Sequence, residues 1–142
     1  MQVAAGVDAV QIFDSWANVL TCEEHAAFCL APLQELTAAA KVPAIFFMRG
    51  SGPYLETIPC AISLDWTICP RGARERTLQP LQGNLNPDVL YEPLDAIRNK
   101  TRQLLELMHG DPAFIVNLGH GVKPNTPIEA VRCFVESVRA WP

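Results

Sequence analysis

The residues of this chain that could do chemistry fall at the ends of short apolar runs. The sharpest case is Phe114–Gly121, FIVNLGHG, where an apolar run stops and His120 stands between Gly119 and Gly121. Histidine is the residue type whose charge changes near neutral pH, so it can meet a carboxylate as a cation or move a proton. Flanking glycines let the backbone bend and approach a neighbour closely. Four more runs end in the same way. Asp14 and Ser15 follow AVQIF (Ala9–Phe13), and Arg49 and Gly50 follow AIFFM (Ala44–Met48). Asp65 and Trp66 follow AISL (Ala61–Leu64), and Gly83 and Asn84 follow LQPLQ (Leu78–Gln82). If the runs are parallel strands, all five clusters lie along one edge of a sheet, where α/β proteins build their sites. His120 is then expected to look into a shared cleft.

Other chemistries are weaker. Cys22, His25 and Cys29 fall at i, i+3 and i+7, one side of a helix, and both residue types bind zinc. The same face continues into Leu33 and Leu36, so a packed helix with small buried thiols is expected there, and no metal. The glycines around His120 do not make a phosphate cradle, because Val122, Lys123 and Pro124 separate them from the next helix. Ser15 in DSW lacks the flanking glycines of a nucleophile elbow. His109 falls in the last turn of a helix, where compensating the dipole is role enough.

The elements that must position these residues are legible as alternating runs. The apolar runs are continuous rather than alternating, as in parallel strands buried on both faces. Pro80 makes the fourth the weakest, since it cannot donate to a ladder. Thr21-Cys22-Glu23-Glu24 has the form of a capping box and predicts a helix toward Ala40. Pro93 opens a second helix, with Leu94, Ile97, Leu104, Leu105 and Met108 on one face and Gly110 as its stop. Thr126-Pro127-Ile128-Glu129 reads as another capping box, followed by a stripe of Ile128, Val131, Val135, Val138 and Trp141. Tyr54–Ile58 and Pro70–Arg76 leave room for only a turn or two. Strand-helix alternation of this kind predicts a parallel α/β sheet with right-handed crossovers. About five β/α units are too few to close an eight-stranded barrel, so the chain is an open sheet or part of a barrel.

Composition narrows the class. With 142 residues, 49% hydrophobic and 18% charged, the chain can bury a core as one globular domain. No apolar run approaches the roughly 20 residues of a membrane span. The opening MQVAAGVDAV lacks the basic region of a secretion signal. Five irregularly spaced cysteines argue against a disulfide framework and for a reducing cytoplasm. A net charge of −4 with no basic stripe argues against nucleic acid as a partner.

Four segments, GVDAVQIFDSWANVL, SLDWT, LQGNLNPDVLY and FIVNLGHGVKPNTPIEAV, resemble the C-terminal portion of the uroporphyrinogen decarboxylase family. The resemblance runs from about Ala4 to Trp141, with the motifs in the family's order. It implies part of a (β/α)8 TIM barrel, usually a homodimer, acting in haem biosynthesis without metal or organic cofactor. The implied substrate is uroporphyrinogen III, whose four acetate arms lose their carboxyl groups to give coproporphyrinogen III. By position, Phe13 matches an aromatic cleft residue, Ser15 a hydroxyl that hydrogen-bonds substrate, and His120 the histidine that meets a substrate carboxylate.

Arg49 and Lys123 could add local positive charge for a substrate with eight carboxylates. The chain departs from the family pattern at Ser63 (usually glycine), Asn86 (usually aspartate) and Arg49 (commonly lysine). The segment Tyr54–Cys60 is also short, which bears on the geometry around Asp65. The family's N-terminal arginines, its pyrrole-coordinating aspartate and its cleft tyrosine correspond to positions upstream of Met1. The chain alone is therefore expected to be inactive and to need its N-terminal half or a second copy. Two other readings are a non-catalytic half-barrel module and a corrinoid-linked methyltransferase of the same superfamily. The latter's zinc-binding His-x-Cys pair has no counterpart here.

Overall fold

The computed structural model describes the whole chain, Met1–Pro142. Five strands form one parallel sheet: β1 (Val10–Phe13), β2 (Ala44–Phe47), β3 (Ala61–Ser63), β4 (Leu81–Leu85) and β5 (Phe114–Leu118). Their spatial order is their order in the chain. A doubly wound sheet reverses strand order at a switch point. Here strand follows strand without reversal, which is the winding of a (β/α)8 barrel with five of its units present.

The helices pack on one face. Phe46, Met48, Ile62, Leu64 and Leu81 bury against Leu33, Tyr54, Leu55, Ile58 and Ala73. A second core joins Leu85, Val89 and Leu90 to Ile97, Leu104, Ala130 and Phe134, and Phe114 touches both cores. No helix is long and apolar enough to cross a membrane.

Local chemistry sets the element ends. The Thr21 capping box forms as expected: Thr21 N–H donates to Glu24 Oε2 at 2.8 Å and Glu24 N–H to Thr21 Oγ1 at 3.2 Å. The helix it opens is not uniform. It runs as α1 (Cys22–His25), a π segment over Ala26–Leu30, then α2 (Ala31–Ala39) with Pro32 in its first turn. Proline has no N–H to give the preceding turn, and the wider π spacing accommodates that loss. Only a single turn at Gly52–Tyr54 and the short α3 (Pro70–Arg74) connect β2, β3 and β4. Pro93 caps α4 (Leu94–Leu107), and the chain turns beyond it at Gly110, φ +80°.

Two expectations fail. No capping box forms at Thr126, because its hydroxyl donates to Lys123 O at 2.7 Å and meets Tyr91 Oη at 3.1 Å. Pro127 is the residue before α5 (Ile128–Arg139). The fourth strand begins three residues later than predicted, at Leu81, with Leu78 fully exposed. Pro80 stays outside it but still contributes its carbonyl, which accepts from Ile62 N–H at 2.8 Å. Arg74 holds the approach: its guanidinium donates to Gln79 O at 2.8 Å, Thr77 O at 3.1 Å and Ala113 O at 3.3 Å, and pairs with Asp111 at 2.7 Å.

Candidate functional site

Residues paired in a parallel ladder share a face, so the register lines up Phe13, Phe47, Ser63, Gln82 and Ile115 across the helix-free side. The buried Gln82 fixes the middle of this row, its Nε2 donating to Ser63 Oγ at 3.0 Å and Gln11 Oε1 at 3.2 Å. Ser63 thus supplies an acceptor on the inner face. Sequence reading missed Gln11, Ser63 and Gln82. Their signal was a polar residue inside each apolar run, visible only once the register was known.

Where the row reaches the C-terminal strand ends, a cleft of about 180 Å³ opens, lined by Phe13, Ser15, Phe47, Asn117 and His120 as well as Gln11 and Ser63. The three residues singled out in the sequence, Phe13, Ser15 and His120, therefore share one cavity. Phe13 is 67% exposed there. Phe47 meets both rings, 5.8 Å from Phe13 and 5.5 Å edge-on from His120. The imidazole also meets Trp66 edge-on at 6.2 Å. A second cavity of about 390 Å³ begins there, lined by Arg49, Trp66, Asn86, Asp88 and Lys123, with His120 common to both.

The glycines beside His120 differ. A Cβ on Gly119 would sit 2.5 Å from Trp66 N and 3.1 Å from Asn84 O, both backbone atoms that cannot swing away. Its N–H donates to Leu85 O at 2.7 Å. Close approach is thus the reason for Gly119, whereas Gly121 has nothing within 4 Å of its Cβ position. The loop beyond is tied to the turn Pro87–Tyr91 by a Lys123–Asp88 ion pair and by Tyr91 Oη donating to Pro124 O at 2.9 Å. Asn86 accepts from Asp88 N–H at 2.9 Å, a cap that asparagine and aspartate perform alike.

Not every polar strand end faces the cleft. Asp65 is fully buried; one carboxylate oxygen accepts from Gly50 N–H, the other from Thr67 N–H at 2.7 Å and Thr67 Oγ1 at 2.5 Å. It is an anchor between two rim loops, and the short Tyr54–Cys60 segment leaves it fully bonded. Asn84 lies inside β4, donating to Asp65 O at 2.8 Å and Ile68 O at 2.6 Å.

The Cys22, His25 and Cys29 face is only partly the packed face expected. His25 and Leu33 are buried, but Cys22 at the helix start and Leu36 are exposed, since neither reaches the sheet. His25 lies 4.1 Å from Tyr54, its Nε2 without a hydrogen-bond partner. Burial pushes its pKa down, against the pull of Asp14. Burial, with Asp14 beside it, pushes the Cys29 thiol up. No three His, Cys, Asp or Glu side chains converge as a metal-ligand set. His109 falls beyond the end of α4 at Leu107 rather than in its last turn, and sets its ring 6.1 Å from Trp141.

Comparison with known proteins agrees with this geometry. The family model for uroporphyrinogen decarboxylase matches residues 1–141. A uroporphyrinogen decarboxylase of Protochlamydia amoebophila is 48% identical over 98% of this chain and 40% of its own length. One from Methylococcus capsulatus is 40% identical over 99% of this chain and 43% of its length. A methyltransferase from Methanosarcina mazei superposes with a TM-score of 0.81 at 24% identity, over 95% of this chain and 42% of that one, a likeness of fold. The chain thus spans about two fifths of the relatives it matches. With the match running through every strand and both rims of the cleft, this chain belongs to the uroporphyrinogen decarboxylase family, as its C-terminal portion.

Proposed function

We propose that this chain supplies the C-terminal part of a single barrel domain that decarboxylates the four acetate arms of uroporphyrinogen III, giving coproporphyrinogen III. The observation that carries this reading is the gathering of Phe13, Ser15 and His120 around one cleft at the strand C-termini. The chemistry asks little more of them than placement. Protonating a pyrrole ring makes the substrate its own electron sink. The electron pair of the breaking C–COO⁻ bond then flows into that ring as CO2 departs. A proton delivered to the resulting methylene makes a methyl group, and loss of the proton first added to the ring restores the pyrrole. No metal or organic cofactor is needed for that electron flow. The protein must hold the ring, place the carboxylate and stabilise cationic charge as it develops. Phe13 would cover the macrocycle face, Ser15 would donate to a carboxylate or accept a pyrrole N–H, and His120 would meet a carboxylate or carry a proton.

The test assembles this chain with the upstream portion of the Protochlamydia amoebophila relative and follows coproporphyrinogen formation. His120→Ala is expected to lower turnover about 10- to 150-fold, the loss of a charge-assisted hydrogen bond of roughly 1.5–3 kcal/mol, with little change in melting temperature. Normal turnover by the folded variant makes His120 structural. No turnover by the assembled wild type favours a non-catalytic half-barrel module instead.

A further inference from the structure

On the far side of His120, the two cations lining the larger cavity are in different states. Lys123 is neutralised by Asp88. Arg49 takes part in none of the chain's five salt bridges and none of its side-chain hydrogen bonds. Its guanidinium instead lies over the Trp66 ring, Cζ 5.5 Å from the centroid. A cation–π contact orients the planar group without consuming its N–H donors. Trp66 also meets His120 edge-on at 6.2 Å, so the indole touches both the guanidinium and the imidazole. Both supports are fixed from below: Asp65 holds the N–H groups of Gly50 and Thr67, the residues directly after Arg49 and Trp66. The one buried carboxylate nearby is thus occupied by backbone and hydroxyl donors, and Arg49 keeps its charge for an occupant of the cavity.

We propose that Arg49, carried on Trp66, is a specificity-determining residue that receives a second carboxylate of a polycarboxylate tetrapyrrole while His120 meets the first. This rests on the decarboxylase reading of the cleft. Arginine suits the task better than the commoner lysine, because its planar pair of N–H groups grips a carboxylate bidentately and stacks on an indole. Through Trp66 the guanidinium and the imidazole lie no more than about 12 Å apart, a distance two arms of one macrocycle can bridge.

Fluorescence titration of this chain, assembled with the upstream portion of the Protochlamydia amoebophila relative, with uroporphyrin I (eight carboxylates) and mesoporphyrin (two) tests the proposal. Arg49→Gln is expected to weaken uroporphyrin binding at least tenfold and mesoporphyrin binding less than twofold, with Arg49→Lys between wild type and Arg49→Gln. Arg49 is exposed, so the circular dichroism and melting curve should not move. Equal weakening of both ligands, or of neither, overturns the proposal. If His120→Gln weakens uroporphyrin binding and Arg49→Gln does not, Arg49 fails while the decarboxylase reading stands. If the assembled wild type binds neither porphyrin, both fail.

Discussion

At the scale of single residues, the chain separates groups that line the cleft from groups that hold its rim loops. His120 and Ser15 were legible because a polar side chain beside glycine or at a strand end has little core to fill. Asp65 was not, since a rim carboxylate and a buried anchor look alike until its three donors are seen. His25, buried against Tyr54 away from the cleft, makes a pH prediction. It is 1% exposed, and burial lowers its pKa from the ordinary 6.5 more than Asp14 raises it. Below 6.5 the unfolded chain takes up a proton that the folded chain refuses until a lower pH. The stability this confers is intact above 6.5 and lost as pH falls through the folded value. Melting curves between about pH 7.5 and 5.5 should therefore show the wild type losing ground to His25→Phe, which keeps a ring against Tyr54 and cannot titrate. Parallel pH profiles would mean that His25 does not resist protonation in the fold.

At the scale of elements, what the sequence hid was mostly register. Five apolar runs announced five strands, but the period-2 alternation that would assign faces is absent in runs buried on both sides. The inner polar row of Gln11, Ser63 and Gln82 could not be seen without the ladder. The displacement of β4 has a related cause: Pro80 marks where the ladder cannot donate, and Arg74 decides where it begins. That side chain bridges three carbonyls, from the approach to β4 and from the residue before β5, and is paired with Asp111. Although burial pushes the other way, hydrogen bonds from Ala113 N–H and Arg74 hold the Asp111 carboxyl below the usual range. Arg74→Met should therefore cost about 2–3 kcal/mol in urea unfolding, because it strands a largely buried carboxylate and three carbonyls together. Arg76→Met removes an equally short pair with Glu56, but one with side chains 43% and 50% exposed, and should cost no more than about 0.5 kcal/mol. Equal losses would show that the Arg74 bridge does not pin the strand starts.

At the scale of the whole molecule, the helices cover one face of the sheet and nothing covers the other. Phe13 and Ile115, at opposite ends of the inner row, are 67% and 46% exposed. β1 and β5 each have one neighbour and so present unpaired N–H and C=O groups along their outer sides. Outer helical residues Phe28 and Ile128, 70% and 76% exposed, add apolar surface on the flanks. Edges and faces of this kind recruit other chains, and closing a barrel removes them. The isolated chain is therefore expected to associate at micromolar concentration or to unfold at low denaturant. It should not decarboxylate uroporphyrinogen. Adding the upstream portion of the Protochlamydia amoebophila relative should replace self-association with a one-to-one complex. Amide exchange at β1 and β5 should then slow toward that of the central β3, because the new strands pair with those edges. Light scattering and exchange read on the same samples decide the matter. A stable monomer whose β1 and β5 amides are already as protected as those of β3 would show that the exposed face and edges need no partner. If that monomer also turned over substrate, the reaction would have to be rebuilt from the residues around His120 alone.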